Sequence, residues 1–207
     1  MALGAAAAPV LHADRLAAAL GGFFLAVGIA AHALDELHGR PLQTRLSRTT
    51  LIVLAVASLG GAVAIGIAGA ITISAWLAPL VAIGAFLVVA YNLELFGGRI
   101  HDDTWFALAW GGFPAFTGYF VNALQVRPAG VLVAMACTLL SVAQRRLSTP
   151  ARELRRRTAA LTGTQTLTSG ETRSLDAHEL AEPLERALQA LWPALVLLAI
   201  GAVAARL

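Results

Sequence analysis

The chain has 207 residues, of which 58% are apolar and only 13% charged, with a net charge of +3, whereas soluble domains carry about a quarter charged residues. With a mean hydropathy of +0.74, this composition excludes a soluble enzyme core and a disordered chain and places the protein in a bilayer. All fifteen basic residues are Arg, so Schiff-base chemistry through Lys is excluded, and their gathering at one membrane end argues against a nucleic-acid partner.

A spanning helix needs about 20 mostly apolar residues. That criterion predicts spans at 15–34, 51–71, 75–94, 105–124, 129–145 and 188–205. The expected fold is an all-α, polytopic transmembrane helix bundle of about six spans with a small cytoplasmic insert. Residues 1–147 form a five-span bundle, 148–187 a basic cytoplasmic loop with short helices and a hairpin, and 188–207 a C-terminal transmembrane helix. Residues 51–93 carry no charge over twice the length of a span, so the chain must turn inside them, at Gly69-Ala70-Ile71-Thr72. Gly60, Gly61, Gly66 and Gly69 suit close helix–helix approach, which holds helices together in lipid where no hydrophobic effect operates between them. Trp76, Trp105, Trp110 and Trp192 fall towards span ends, as interfacial anchors do. Cys137 lies in an apolar run and is read as a small hydrophobe.

In the insert, a basic helix is expected from Pro150 to about Ala160, then a Thr/Gly-rich hairpin turning at Ser169-Gly170. An amphipathic helix follows from Ala177, with Asp176 as N-cap and Glu179 in capping-box position. Twelve of the fifteen Arg lie in 35–50, 95–104 and the stretch from Arg145 to 187. Six spans put all three segments on one side, which the positive-inside rule makes the cytoplasm, with both termini outside.

Two polar groups emerge at that boundary. The first span ends in His32-Ala-Leu-Asp35-Glu36, which sets three cation ligands at i, i+3 and i+4 on one helical face. The third span ends in Tyr91-Asn92, and the loop after it carries Arg99, His101, Asp102 and Asp103. Carboxylates and imidazoles at membrane depth are costly unless they pair, bind a cation or line a wet cavity. The metal candidates are therefore His32, Asp35, Glu36, His101, Asp102 and Asp103. Carboxylate oxygen with water suits Mg²⁺, and the imidazoles admit another divalent metal. Arg40 and Arg99 are placed to hold a phosphate. The competing expectation is an interfacial ion-pair network in which Asp102 or Asp103 merely caps the next helix.

Residues 31–123 resemble part of the UbiA family of intramembrane prenyltransferases. The stretch Ala31-His32-Ala-Leu-Asp35-Glu36-Leu-His38-Gly39, followed by Arg40-Pro41-Leu42-Gln43-Thr44-Arg45-Leu46-Ser47, is similar to that family's first Asp-rich motif and the segment after it. Ala90-Tyr91-Asn92 and Trp110-Gly111-Gly112-Phe113-Pro114-Ala115-Phe116-Thr117-Gly118 resemble its Tyr-containing loop and its Gly-x-x-Pro-x-x-Gly helix. The resemblance implies Mg²⁺ held by Asp-rich motifs against an isoprenoid diphosphate, and it adds Tyr91 and Asn92 to Arg40 and Arg99 as substrate-binding residues. Of the motif's three Asp, Asp35 matches the second, while the first falls on His32 and the third on Gly39. No second Asp-x-x-x-Asp motif occurs in 146–187, and the chain is about three spans shorter than that family's members.

Three functions are weighed. One is a membrane protein that binds or processes a phosphorylated isoprenoid or lipid at a cytoplasm-facing divalent-cation site, a prenyltransferase-like transferase if it is an enzyme. Another is a non-catalytic scaffold or accessory subunit whose insert recruits a partner. The last is a small transporter active as a homodimer, with Asn92, Glu94 and Asn122 along its path. Membrane lipids are partners in all three.

Overall fold

A computed structural model describes residues 1–39, 41 and 43–207. After a short helix α1 (Ala2–Ala6), one continuous helical stretch runs through α2 (Ala13–Phe23), a π-helical segment π1 (Phe24–Ala31) and α3 (His32–His38). Next come α4 (Arg48–Thr72) and α5 (Leu77–Asn92), then a second stretch of α6 (Asp103–Phe106), π2 (Ala107–Gly112) and α7 (Phe113–Ala123). Helix α8 (Pro128–Arg156), strands β1 (Thr162–Thr166) and β2 (Thr172–Asp176), and α9 (Ala177–Ala204) complete the order. The protein is thus a mostly helical bundle with a small non-helical insert. Four helical stretches among the described residues are long and apolar enough to cross a membrane: Ala13–His38, Arg48–Thr72, Pro128–Arg156 and Ala177–Ala204. Helix α5 is a shorter apolar helix of 16 residues.

The core is built from small side chains. Ala30, Ala31, Ala33 and Leu34 pack against Leu51 and Ala55 of α4 and Val88 of α5. A second cluster joins Leu77 to Phe120 and Val121. Large apolar side chains such as Val56, Ile71, Leu139 and Leu197 face outward. Apolar surface of that extent needs cover, and lipid supplies it. Small residues inside and large ones outside is the arrangement that lets helices approach closely when van der Waals packing drives association.

The turn expected at 69–72 falls just beyond it. Helix α4 runs to Thr72, and Ile73-Ser74-Ala75-Trp76 lead into α5. A methyl group at Gly66 would overlap Val81 across the α4–α5 contact, whereas one at Gly60 would meet nothing within 4 Å. Gly111 and Gly112 answer a different need. A Cβ at Gly111 would lie 2.6 Å from the Cys137 carbonyl oxygen, and one at Gly112 would overlap Thr138 Oγ1. These two glycines, in the wide turns of π2, allow α8 to pack against the backbone.

The insert differs from expectation at its start. Pro150 does not open a new helix; it lies inside α8, which continues unbroken to Arg156. Its 29 residues make a helix about 44 Å long, some 14 Å more than the hydrocarbon core of a bilayer. The hairpin pairs Thr162 with Asp176 through to Thr166 with Thr172, and Gly170 takes φ +87° at its turn. Asp176 and Glu179 form the expected capping box. Helix α9 then passes through Pro183 and Pro193 without a break. Arg155 on α8 donates to Glu185 on α9 at 2.7 and 2.6 Å, tying the two extensions together.

At the end of the bundle near α1 the polar side chains turn onto backbone. Helix α1 packs on α7, and the His12 backbone N–H donates to Asn122 Oδ1 at 2.7 Å while Asn122 Nδ2 donates to the Gly118 carbonyl at 2.8 Å. Arg206 donates to the carbonyls of Ala8 and Pro9 at 3.0 and 2.7 Å.

Candidate functional site

At the opposite end, three pieces of chain surround an open polar cavity of about 690 Å³: the end of α3, the turn after α5 and the extension of α8. Asp35, His38 and Gly39 come from the first, and Tyr91, Asn92, Glu94 and His101 from the second. Helix α8 contributes Arg145, Thr149, Arg152, Glu153, Arg156 and, just past its end, Arg157. The positions 145, 149, 152 and 156 recur at i, i+4, i+7 and i+11, which is one face of a continuous helix.

The turn from Leu93 to His101 is held in an unusual backbone conformation. Glu94 and Phe96 adopt φ of +49° and +60°, and Gly97 and Gly98 are also left-handed. For Glu and Phe this costs on the order of 1 kcal/mol each, a cost that the surrounding contacts offset. The turn presents the Glu94 carboxylate between two imidazoles, 3.7 Å from His38 Nε2 and 3.9 Å from His101 Nε2. His101 Nδ1 lies 2.9 Å from the Tyr91 carbonyl oxygen. A carbonyl only accepts, so Nδ1 is the protonated nitrogen, and Nε2 is left for Glu94 or a ligand. The His101 ring stacks on Tyr91 at 4.4 Å between centroids, and Tyr91 meets Trp110 edge-on at 5.6 Å.

The sequence-predicted residues separate here. Asp35 and His101 line the cavity. Glu36 is buried at 1% exposure and accepts from the Thr44 N–H at 2.6 Å and the Thr44 hydroxyl at 2.9 Å. His32 is exposed and lines no part of the cavity. Asp102 Oδ1 accepts from the Trp105 N–H at 2.7 Å, capping α6. Asp103 pairs with Arg145, whose Nε donates to Oδ1 at 2.7 Å and whose guanidinium lies 4.7 Å from the centre of the Phe106 ring. Tyr91 and Asn92 line the cavity, the Asn92 amide also donating to the Val88 carbonyl at 2.6 Å. Arg99 is exposed and outside the lining, and Arg40 lies outside the described residues. The reason for the split is geometric: Asp35 and Glu36 are neighbours, so their side chains diverge by about 100° around the helix. A face wide enough to include both is too wide to aim both at one ion.

Among the described residues no group of three or more His, Cys, Asp or Glu side chains is placed to hold a metal ion. Of the carboxylates expected from the sequence as metal candidates, Glu36, Asp102 and Asp103 have other partners.

His38 and the α8 wall line the cavity without being among the residues expected from the sequence. His38 stands three residues after Asp35, a spacing that would have revealed it. The α8 Arg were readable only had α8 been carried through Pro150.

A second cavity, of about 170 Å³, almost wholly apolar and open on one side, lies between α2, π1, α4, α5 and α7 and reaches Met1 and Arg15. Ala26, Gly66, Gly84 and Val88 line it, with Trp110 on its wall. Trp110, expected as an interfacial anchor, instead lies inside the bundle against the first core cluster, while Trp76 and Trp192 are exposed. Along α5 the apolar cavity extends to Val88 and the polar one begins at Tyr91. Trp110 lines the apolar cavity and Tyr91, in edge-on contact with it, the polar one. Comparisons with family models, with curated proteins and with solved structures find no match.

Proposed function

We propose that this is a six-span membrane protein that binds an anionic lipid, its phosphorylated head in the polar cavity and its chain in the apolar one. The observation that supports the reading most is the succession of the two cavities along α5, with apolar lining up to Val88 and polar lining from Tyr91. An amphiphile matches such a succession, because each end gains what it would otherwise lose on leaving the bilayer surface. The resemblance to intramembrane prenyltransferases makes an isoprenoid diphosphate the ligand of choice, and prenyl transfer the reaction such a site would serve. Helix α5, about 24 Å long at 1.5 Å per residue, spans together with the turn before it, and the interrupted stretch from Asp103 to Ala123 is the fourth span. With six spans the cavity faces the cytoplasm and the α1 end faces outward, in accord with the Arg distribution.

Native mass spectrometry of the detergent-solubilised full chain tests this reading. Farnesyl diphosphate is expected to remain bound while farnesol, which has the same chain and no phosphate, is lost. Loss of both, or equal retention of both, overturns the proposal.

A further inference from the structure

The polar cavity has two unlike walls. On the side of α3 and the 93–101 turn stand Asp35, Glu94 and two imidazoles, and on the side of α8 stand four guanidinium groups and one carboxylate, Glu153. Arg145 is already paired with Asp103. Arg152, Arg156 and Arg157 line the cavity, and among the described residues none of them has a carboxylate within ion-pair distance. Arg152 donates instead to the Ser148 carbonyl, at 3.4 Å, and the Thr149 hydroxyl lies on the same face. By contrast, the carboxylates that line the cavity are Asp35, Glu94 and Glu153; among the described residues they form no group placed to hold a metal ion, and Glu94 already stands between His38 and His101.

From this asymmetry we infer that the diphosphate group is held directly by Arg152, Arg156 and Arg157 of the α8 wall, without a bridging divalent cation. The inference rests on the proposed binding of an anionic lipid and specifies how the head is held. Guanidinium groups are permanently charged and present paired N–H donors that match phosphate oxygens. Three of them supply the positive charge that a metal ion would otherwise bring. The helix that carries Arg152 and Arg156 continues unbroken from the apolar part of α8, which sets both on the face that lines the cavity. Arg152 and Arg156 are one turn apart on one face, a spacing that lets two guanidinium groups reach adjacent phosphates.

Isothermal titration calorimetry on the full chain in detergent tests the inference with inorganic pyrophosphate and farnesyl diphosphate, each in EDTA and in Mg²⁺. Binding of farnesyl diphosphate in EDTA is expected, weakened at least about tenfold by Arg152→Gln with Arg156→Gln and unchanged by Arg155→Gln. Arg152→Lys with Arg156→Lys should recover part of the loss. Tighter binding of farnesyl diphosphate than of pyrophosphate identifies a lipid head, and equal binding a free diphosphate; both outcomes retain the guanidinium site. Binding that requires Mg²⁺, or that is indifferent to the double substitution in protein that remains monodisperse, overturns the inference while leaving the anionic-lipid reading intact. Absence of binding under every condition overturns both.

Discussion

The two ends of the bundle both carry polar groups and use them in opposite ways. At the α1 end, Asn122, Arg15 and Arg206 turn onto backbone: Asn122 bridges the His12 N–H and the Gly118 carbonyl, Arg15 donates to the Val121 carbonyl at 3.3 Å, and Arg206 to Ala8 and Pro9. At the other end Asp35, His38, Glu94 and the Arg of α8 surround open space. Polar groups satisfied by neighbouring backbone hold a structure together, whereas groups that face one another across a cavity leave capacity for a ligand. Glu36 is the instructive exception, satisfied by Thr44 as the α1-end groups are satisfied by backbone, yet located one residue from Asp35 in the cavity.

Substitutions can break this contrast. Glu36→Ala has the largest expected effect, because it removes two charge-assisted hydrogen bonds and leaves the Thr44 N–H without its acceptor. A loss of about 3 kcal/mol is expected, measured by thermal unfolding in detergent, with Glu36→Gln losing less. Gly112→Val follows at about 2 kcal/mol, since its side chain must displace Thr138 at the π2–α8 contact. Asn122→Ala should cost about 1.5 kcal/mol and leave ligand affinity unchanged, which separates the α1 end from the polar-cavity end. Asp35→Asn should do the reverse. It leaves the unfolding midpoint in place and raises the affinity for pyrophosphate roughly fourfold by removing a negative charge from the cavity. If Asp35 instead holds a cation that binds the ligand, affinity falls. Arg155→Gln has the smallest effect: its ion pair with Glu185 is exposed, and no shift in midpoint beyond scatter is expected.

The parts of this architecture that local chemistry dictates were legible in the sequence. The apolar runs place the long helices, and Asp176 with Glu179 marks the start of α9 because a capping box involves only residues three apart. The two stretches around Asp35 and His101 were recognisable as converging groups, since ionisable residues at membrane depth need a reason. Which neighbour faces the cavity was not legible. Asp35 and Glu36 are chemically near-identical in sequence, and the packing of the folded chain, with Thr44 among the partners of Glu36, decides which of the two diverging side chains turns away. The guanidinium wall was hidden for another reason. Pro150 reads as a helix start, yet α8 continues through it, and that continuity places Arg152 and Arg156 over the cavity rather than in a solvated loop. The π segments had no sequence signal of their own beyond Gly111-Gly112, whose purpose becomes visible only with α8 packed against them.

The account depends on one ligand occupying both cavities, and photolabelling tests that most directly. A farnesyl diphosphate analogue with a diazirine at the far end of its chain, applied to the solubilised protein and mapped by peptide mass spectrometry, should label the segments 23–27 and 81–88. Ala85→Phe, which fills the apolar cavity, should abolish that labelling. Labelling confined to the outward faces of α4 and α9, unchanged by Ala85→Phe and by Arg152→Gln with Arg156→Gln, would contradict it.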